Sequence, residues 1–395
     1  MPKPLRILYA VGPENVIESY KCWLEGENNS IQVSITYSSQ FYEACKTVNA
    51  TAYVIAQAQE HQIVRDEKFI IEHRPISFPN AQGIFYHLQQ ILFGLSLLVS
   101  AYRFQANVVI ADSGTTYWFV LSLFHWLGMK VIPSLHCTLW RKYGKQTFGE
   151  KIILKLSQNL FSSHSQAITV VSHEISEQIS QLTKGRHAKI FEFLPSFNRA
   201  DFADITPNVN ASIPFRVLYA GRIEYSKGVF DLLEIAKRFA AEGRRDIVFD
   251  ICGNGSALEA LRLAVQESGV ETIFLCHGYC KKAKMKTMFC NSHVVIVPTR
   301  SDFVEGFNRV VAESILSGRP VVTSAVCPAV FYLQEGILEV PPDDVMAYGN
   351  ALLSLSNNYQ LYEQKRQACL TLQEQLYDIK NSWYFVLKSI LLEIE

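Results

Sequence analysis

The chain has 395 residues, 49% hydrophobic and 19% charged, too apolar for a disordered segment and too long for one ordinary core, so two domains are expected. Lys plus Arg and Asp plus Glu both number 37, which removes any global field for nucleic acid or a strongly acidic partner and confines an anion site to a local cluster. Nine scattered cysteines and an N-terminus without a signal-peptide pattern point to free thiols in a reducing, cytoplasmic setting.

Residues 6–10 read as a short apolar strand that turns at Val11-Gly12-Pro13-Glu14 into a helix over 15–24. Strand patterns follow at 33–37, 52–55, 69–72, 108–111, 131–132 and 169–172, the last leading into a polar helix around Ser176-Glu177-Gln178. The apolar run at 91–102 falls short of the roughly 20 residues a spanning helix needs, so a buried core helix is expected, with a membrane-docking face as the alternative. Between 195 and 214 three prolines among Asn, Asp and Ser break the periodicity and mark a linker. The alternation then restarts: strand 216–220, helix 229–241, strand 247–252, helix 257–267, strand 273–275, a short helix over 283–290 and strand 294–297. Short all-apolar strands alternating with longer helices predict α/β architecture, two doubly wound parallel sheets with ligand in the crevice outside the strands' carboxyl ends. The tail, 379–394, spaces Trp383, Phe385, Val386, Ile390 and Leu391 as one apolar helix face that requires a docking surface.

Three stretches carry chemistry. The first is 305–324, E-G-F-N-R-V-V-A-E-S-I-L-S-G-R-P-V-V-T-S, a loop and helix between two strands in which Gly318 stops the helix. Glu305 lies in the loop and Glu313 eight residues on, about two helical turns further, on the same side. Backbone amides at the helix start, from Phe307 through Asn308 to Arg309, are placed to hold an anion. The second follows the strand at 216–220: Gly221 permits close approach of a ligand to backbone, and Arg222 and Lys227 put two cations beside a helix N-terminus, matching the charge of a diphosphate. The third, Gly253-Asn254-Gly255-Ser256, begins a dinucleotide-type G-x-G turn but has Leu258 where the third glycine belongs.

The combination of G-R-I-E-Y-S-K-G, I-C-G-N-G-S, H-G-Y and E-G-F-N-R-V-V-A-E-S-I-L-S-G-R-P-V-V resembles the retaining GT-B glycosyltransferases of glycosyltransferase family 4, most closely over 215–342. That resemblance implies two facing Rossmann-like domains: 1–200 on the acceptor side, 201–375 binding the nucleotide sugar, and a C-terminal helix, 376–395, crossing back to dock on the first. It implies that Glu305 accepts hydrogen bonds from donor-sugar hydroxyls and Glu313 from ribose, and that Arg222 and Lys227 stabilise the departing diphosphate. Tyr279, after His277-Gly278, falls where the base is read mostly through backbone. Gly12 occupies the first glycine loop, although Pro13-Glu14 replaces the fuller glycine pattern, and His136 follows a strand where the family often places a histidine at the reacting sugar. Ala325-Val326-Cys327-Pro328-Ala329 stands where a glycine pair is common, and Cys327 and Pro328 are expected to narrow the donor pocket.

The implied activity is transfer of a sugar from a nucleoside diphosphate sugar, UDP favoured over GDP, to a hydroxyl on a sugar, lipid-linked or small-molecule acceptor. No Asp pair has the D-x-D spacing of metal-dependent transferases, so no metal or other cofactor is expected. Cys276, Cys280, Cys290 and His293 lack the tight C-x-x-C spacing of a zinc site. A nicotinamide oxidoreductase is disfavoured by the missing third glycine and by the lack of an acidic ribose partner about 20 residues on; a catalytically silent sugar-nucleotide binder is the other alternative. The basic, aromatic stretch at 140–145, with Lys151 and Lys155 beyond it, suggests peripheral contact with the cytoplasmic membrane face, while the balanced charge of the whole chain leaves no nucleic acid partner expected.

Overall fold

The computed structural model describes residues 4–12, 14–27, 33–76, 81–206 and 214–394. Among them, strands β1 (Arg6–Val11), β2 (Thr51–Ala58), β3 (Gln62–Arg65), β4 (Phe69–Pro75), β5 (Val108–Asp112), β6 (Lys130–Leu135), β7 (Ile168–Val170) and β8 (Ile190–Glu192) form one sheet in the order β3-β4-β2-β1-β5-β6-β7-β8. A second sheet, β11-β10-β9-β12-β13-β14, is built from β9 (Phe215–Ala220), β10 (Ile247–Cys252), β11 (Phe274–Gly278), β12 (Val294–Val297), β13 (Val321–Ser324) and β14 (Ile337–Val340). The chain divides into two compact units, one of Met1–Leu139, Gln146–Ser196 and Ile379–Glu395, the other of Trp140–Lys145 and Phe197–Asp378.

The central strands are mostly apolar because helices cover both faces: every residue of β5, β10 and β12 is buried, Asp112 and Asp250 included. Each sheet reverses its strand order at its first strand, β1 lying between β2 and β5, and β9 between β10 and β12. At such a reversal the connections leave in opposite directions and open a crevice outside the carboxyl ends. Gly12 and Asp112 follow or end the two strands at the first reversal; the loops 221–228 and 298–308 leave the second.

Several elements differ from expectation. The strand expected at 33–37 is a bend and an isolated bridge at Ser34 that gives way to helix Tyr37–Thr47, whose start is fixed by Thr36 Oγ1 accepting the Ser39 amide at 3.1 Å. Capping at Thr36 outweighs the local V-S-I-T alternation. β3 pairs antiparallel with β4 and is mostly exposed, an edge strand without an apolar run to announce it. Residues 207–213 of the expected linker lie outside the described set, as does Pro13.

The apolar run at 91–102 belongs to a longer helix, Ile84–Phe104, of 21 residues, long and apolar enough by length and composition to cross a membrane. It is not a buried core helix, since only one of its faces is covered. The tail forms helix Trp383–Ile394, packed on helix Tyr37–Thr47 within the first unit. Trp383 is fully buried there and its indole N–H donates to Thr169 Oγ1 at 3.2 Å.

Candidate active site

The second unit brings Lys227, Glu305 and Arg300 together at the reversal between β9 and β12. After β9 the chain passes Gly221 and Arg222, makes one turn of 3-10 helix at Tyr225–Lys227, and enters helix Val229–Ala241. Gly228 joins them with φ +73°, and a Cβ there would sit 2.0 Å from the Pro298 carbonyl oxygen, so only glycine lets this turn lie against the end of β12. The Arg300 amide donates to Ser226 O at 3.0 Å, and the Arg300 guanidinium holds Asp231, in the first turn of the following helix, at 2.8 Å. These bonds clamp the loop after β12 onto the loop after β9.

The clamp brings Lys227 to Glu305. Lys227 Nζ donates to Glu305 Oε2 at 2.8 Å, and Asn308 Nδ2 donates to the same oxygen at 3.1 Å. Both partners of the ion pair keep 13% of their side-chain surface exposed, enough for a ligand to reach and too little for bulk water to screen fully. Phe303, which sequence reasoning passed over, lies beneath: Lys227 Nζ sits 3.6 Å and Arg222 Cζ 5.6 Å from its ring centroid. The aromatic two residues before Glu305 was the available signal. Arg222 is 60% exposed and its contact with Glu224, at 3.3 Å, leaves the guanidinium facing solvent.

Asn308 takes φ +73° at the entrance to helix Arg309–Leu316, turning Phe307 inward. The buried Phe307 carbonyl accepts from the Ala329 amide at 3.2 Å and the Cys327 thiol at 3.3 Å. Cys327 and Pro328 therefore support this loop from below, both buried, and do not line open space as expected. Glu313, on the same helix, retains partial access yet is densely enclosed; burial pushes its carboxyl up to about 7, with Arg309 pulling the other way.

Gly253 and Gly255 serve close packing: a Cβ on Gly253 would lie 1.7 Å from Gly221 O, and one on Gly255 2.3 Å from Ile223 O. The turn after β10 thus supports the loop that carries Arg222. Gly253 N in turn donates to Gly278 O at 2.8 Å, placing the exposed Tyr279 at the same edge of the sheet. His277 is occupied by Asp250 at 2.7 Å, which also receives Arg216. Among the described residues no group of three His, Cys, Asp or Glu is placed to hold a metal. His293 of the weighed zinc set accepts from the Arg216 amide at 2.9 Å, and the Cys290 thiol points to Asp204 O.

In the first unit His136, just after β6, is held by residues the sequence reading did not single out. Its Nε2 lies 3.1 Å from Asp112 Oδ1 and 3.0 Å from Ser134 Oγ, and the Tyr9 hydroxyl donates to Asp112 Oδ2 at 2.7 Å. The Tyr37 ring covers the imidazole at 4.1 Å between centroids. Asp112 draws the ring proton to Nε2, leaving Nδ1 buried and without a partner among the described residues. An aspartate closing an apolar strand, V-V-I-A-D, was the legible sign. Gly12 follows β1, where a Cβ would meet Ser113 O at 3.2 Å.

Residues 204–369 match the family model of glycosyl transferases group 1. The matched stretch contains the second unit's sheet and its loops at 221–228, 253–256 and 298–308. Alpha-D-kanosaminyltransferase of Streptomyces kanamyceticus is 22% identical over 280 residues, 68% of this chain and 72% of that protein. Sucrose-phosphate synthase from Thermosynechococcus elongatus superposes over 99% of this chain and 98% of its own with a TM-score of 0.69 at 15% identity. The E. coli trehalose-6-phosphate structure bound with UDP-2-fluoro glucose covers 98% of each chain with a TM-score of 0.71 at 11% identity. The fold is GT-B, and the group 1 region on that fold supports a glycosyltransferase.

Proposed function

We propose that the chain is a retaining glycosyltransferase that moves a sugar from a nucleoside diphosphate sugar, with UDP favoured over GDP, to an acceptor hydroxyl without requiring a divalent metal. The observation that carries the reading is the joint placement of Lys227, Arg222 and Glu305 around Phe303 at the strand-order reversal. Lys227, held in place by Glu305, and Arg222, whose guanidinium is free in solvent to swing in, supply two cations to a diphosphate, and their attraction strengthens as charge builds on the leaving group, which lowers the barrier for departure. Glu305, already oriented by Lys227 and Asn308, is suited to accept hydrogen bonds from sugar hydroxyls. Glu313 on the following helix suits the ribose hydroxyls, and Tyr279 the region of the base. UDP-2-fluoro glucose in one structural neighbour and the kanosaminyl transfer named for one relative favour a nucleotide-sugar donor.

The reaction breaks the bond between the anomeric carbon and the diphosphate oxygen while the acceptor oxygen bonds the same face of that carbon. The acceptor proton passes to the departing phosphate oxygen, so the anomeric configuration is kept and no protein nucleophile is consumed. Within the first unit, His136, fixed by Asp112, is the residue proposed to meet a sugar hydroxyl.

Thermal shift with UDP, GDP and NAD, followed by product mass with the sugar nucleotides that stabilise, tests the assignment. Lys227→Ala and Glu305→Ala are expected to lose about 100- to 1,000-fold in kcat while circular dichroism and thermal unfolding stay close to wild type. Near-full transfer by either variant, or stabilisation by NAD and not by UDP or GDP, defeats the reading.

A further inference from the structure

The helix Ile84–Phe104 has two apolar faces. Gln90, Phe93, Gly94, Leu97 and Ala101 are buried against the first unit. On the opposite side Leu88, Leu92, Leu95, Val99 and Tyr102 recur at steps of four and three and are 38–70% exposed. A helix that serves only as core cover has no use for the second stripe. The first turn adds Ile84 and Phe85, exposed at 78% and 61%.

The stripe continues onto neighbouring elements. A groove of about 300 Å³ runs between Ile91 and Leu95 on this helix, Phe119, Leu123 and Trp126 on the next segment, and Leu156 on helix Phe148–Asn159. Beyond it Phe148, Ile152 and Leu156 expose a second apolar row, with Lys151 and Lys155 exposed between them at helical spacing. Contiguous apolar surface on this scale, well beyond isolated exposed side chains, marks an interaction site.

Charge identifies the occupant. The whole chain is balanced, yet from Ile84 to His164 the acidic residues are Asp112, buried beside His136, and Glu150, folded back onto the Thr147 amide at 2.6 Å. Arg103, Lys151 and Lys155 are exposed in the same unit, so along residues 84–164 the apolar surface carries exposed cations and no fully exposed carboxylate. A second copy of the chain would set like charges against each other across a two-fold axis. An anionic bilayer satisfies both features: its acyl boundary takes the Leu and Phe side chains, its headgroups the lysines, and Trp126, Tyr86 and Tyr102 suit the interface.

The helix is nonetheless part of the folded unit and not a span. Arg74 donates to Ser96 Oγ and Ser100 Oγ at 3.2 and 2.9 Å, Thr116 Oγ1 donates to Gln90 O at 2.8 Å, and Arg6 caps Phe104 O at 2.7 Å. A Cβ on Gly94 would lie 2.3 Å from Thr116 Oγ1, so the inner face is in close contact with the domain along its length. Pulling it into a bilayer would break all of these.

We infer that the exposed face of helix Ile84–Phe104, together with Trp126 and the Phe148–Asn159 helix, docks the first unit on an anionic lipid membrane surface. This inference is independent of the donor reading, because it concerns partition and not turnover.

Co-sedimentation of the full chain with phosphatidylcholine vesicles, with and without phosphatidylglycerol, tests it. Binding is expected to the anionic vesicles, weakening as salt rises. Lys151→Glu/Lys155→Glu should weaken it about 10- to 30-fold, and Leu92→Asp/Val99→Asp at least as much, while the UDP-induced thermal shift of both variants stays at the wild-type value. No binding to anionic vesicles overturns the inference. So does binding that neither double variant weakens, or a concentration-dependent dimer that Leu92→Asp/Val99→Asp abolishes in a chain that ignores vesicles. Loss of the UDP response with vesicle binding intact counts against the donor reading alone.

Discussion

Glu313 couples the candidate site to pH. Its folded carboxyl titrates at about 7 because burial opposes the charge, whereas the unfolded chain ionises it near the ordinary 4.5. Between those values the folded state holds the extra proton, so this residue's contribution makes stability fall as pH rises from about 4.5 to about 7, by about 3 kcal/mol. Glu313→Gln removes that slope, and urea midpoints measured across the interval should flatten relative to wild type. Hydroxyl donors favour the ionised form, so a ribose bound there would draw the proton off: UDP binding should release protons below pH 7 in wild type and not in Glu313→Gln, read by calorimetry in buffers of different ionisation enthalpy. The two acids are thus not equivalent. Glu305 is matched to a lysine at 2.8 Å, and Glu313 awaits a donor.

At the scale of elements, Arg319 shows how the S-G-R-P turn is built. It is fully buried and donates to five carbonyls, those of Phe289, Ser292, Ser317, Thr206 and Cys290, at 2.6 to 3.0 Å. It thereby ties the end of helix Lys282–Asn291 to the end of helix Arg309–Leu316, the helix that carries Glu313. Lys offers three donors from one point and cannot span this fork, so Arg319→Lys is expected to lose about 2–4 kcal/mol, measured by urea unfolding, with the helix end rather than the ion pair affected. The sequence announced Gly318 as the stop, and its φ of +68° ends the helix there, but a buried arginine reads as a surface charge until its carbonyls are seen. The same logic separates what was legible elsewhere. Fully buried strands such as β5, β10 and β12 were plain because a run of three or four consecutive apolar residues has few other uses, while the edge strands β3 and β8 carry no such run. Helix Ile84–Phe104 was cut short on reading because His87, Gln89 and Gln90 interrupt its apolar run, and its two-sidedness depends on which stripe the sheet covers. Phe303 and Asp112 were missed because their roles lie in what they hold, Lys227 and His136, and a partner is a fact of three dimensions.

At the scale of the whole chain, the last helix returns to the first unit, so residues separated by most of the sequence share one core. Trp383 lies 5.7 Å from Tyr9 and 5.8 Å from Tyr37 between ring centroids, and these two side chains hold Asp112 and cover His136. Removing the indole leaves a cavity beneath that network and orphans Thr169 Oγ1, so Trp383→Ala is expected to destabilise the first unit by about 3–5 kcal/mol. The second unit has its own sheet and core, with Phe239, Phe249 and Phe274 packed away from any residue of the tail. Its stability and its nucleotide response should therefore survive the substitution. Hydrogen exchange separates the outcomes: faster exchange in Tyr37–Thr47 and β7, with unchanged protection in β9, β10 and β12 and an unchanged UDP-induced shift, is expected. Loss of protection spread evenly over both sheets would instead mean that the two cores unfold as one, and that the chain's division into separate units does not extend to its energetics.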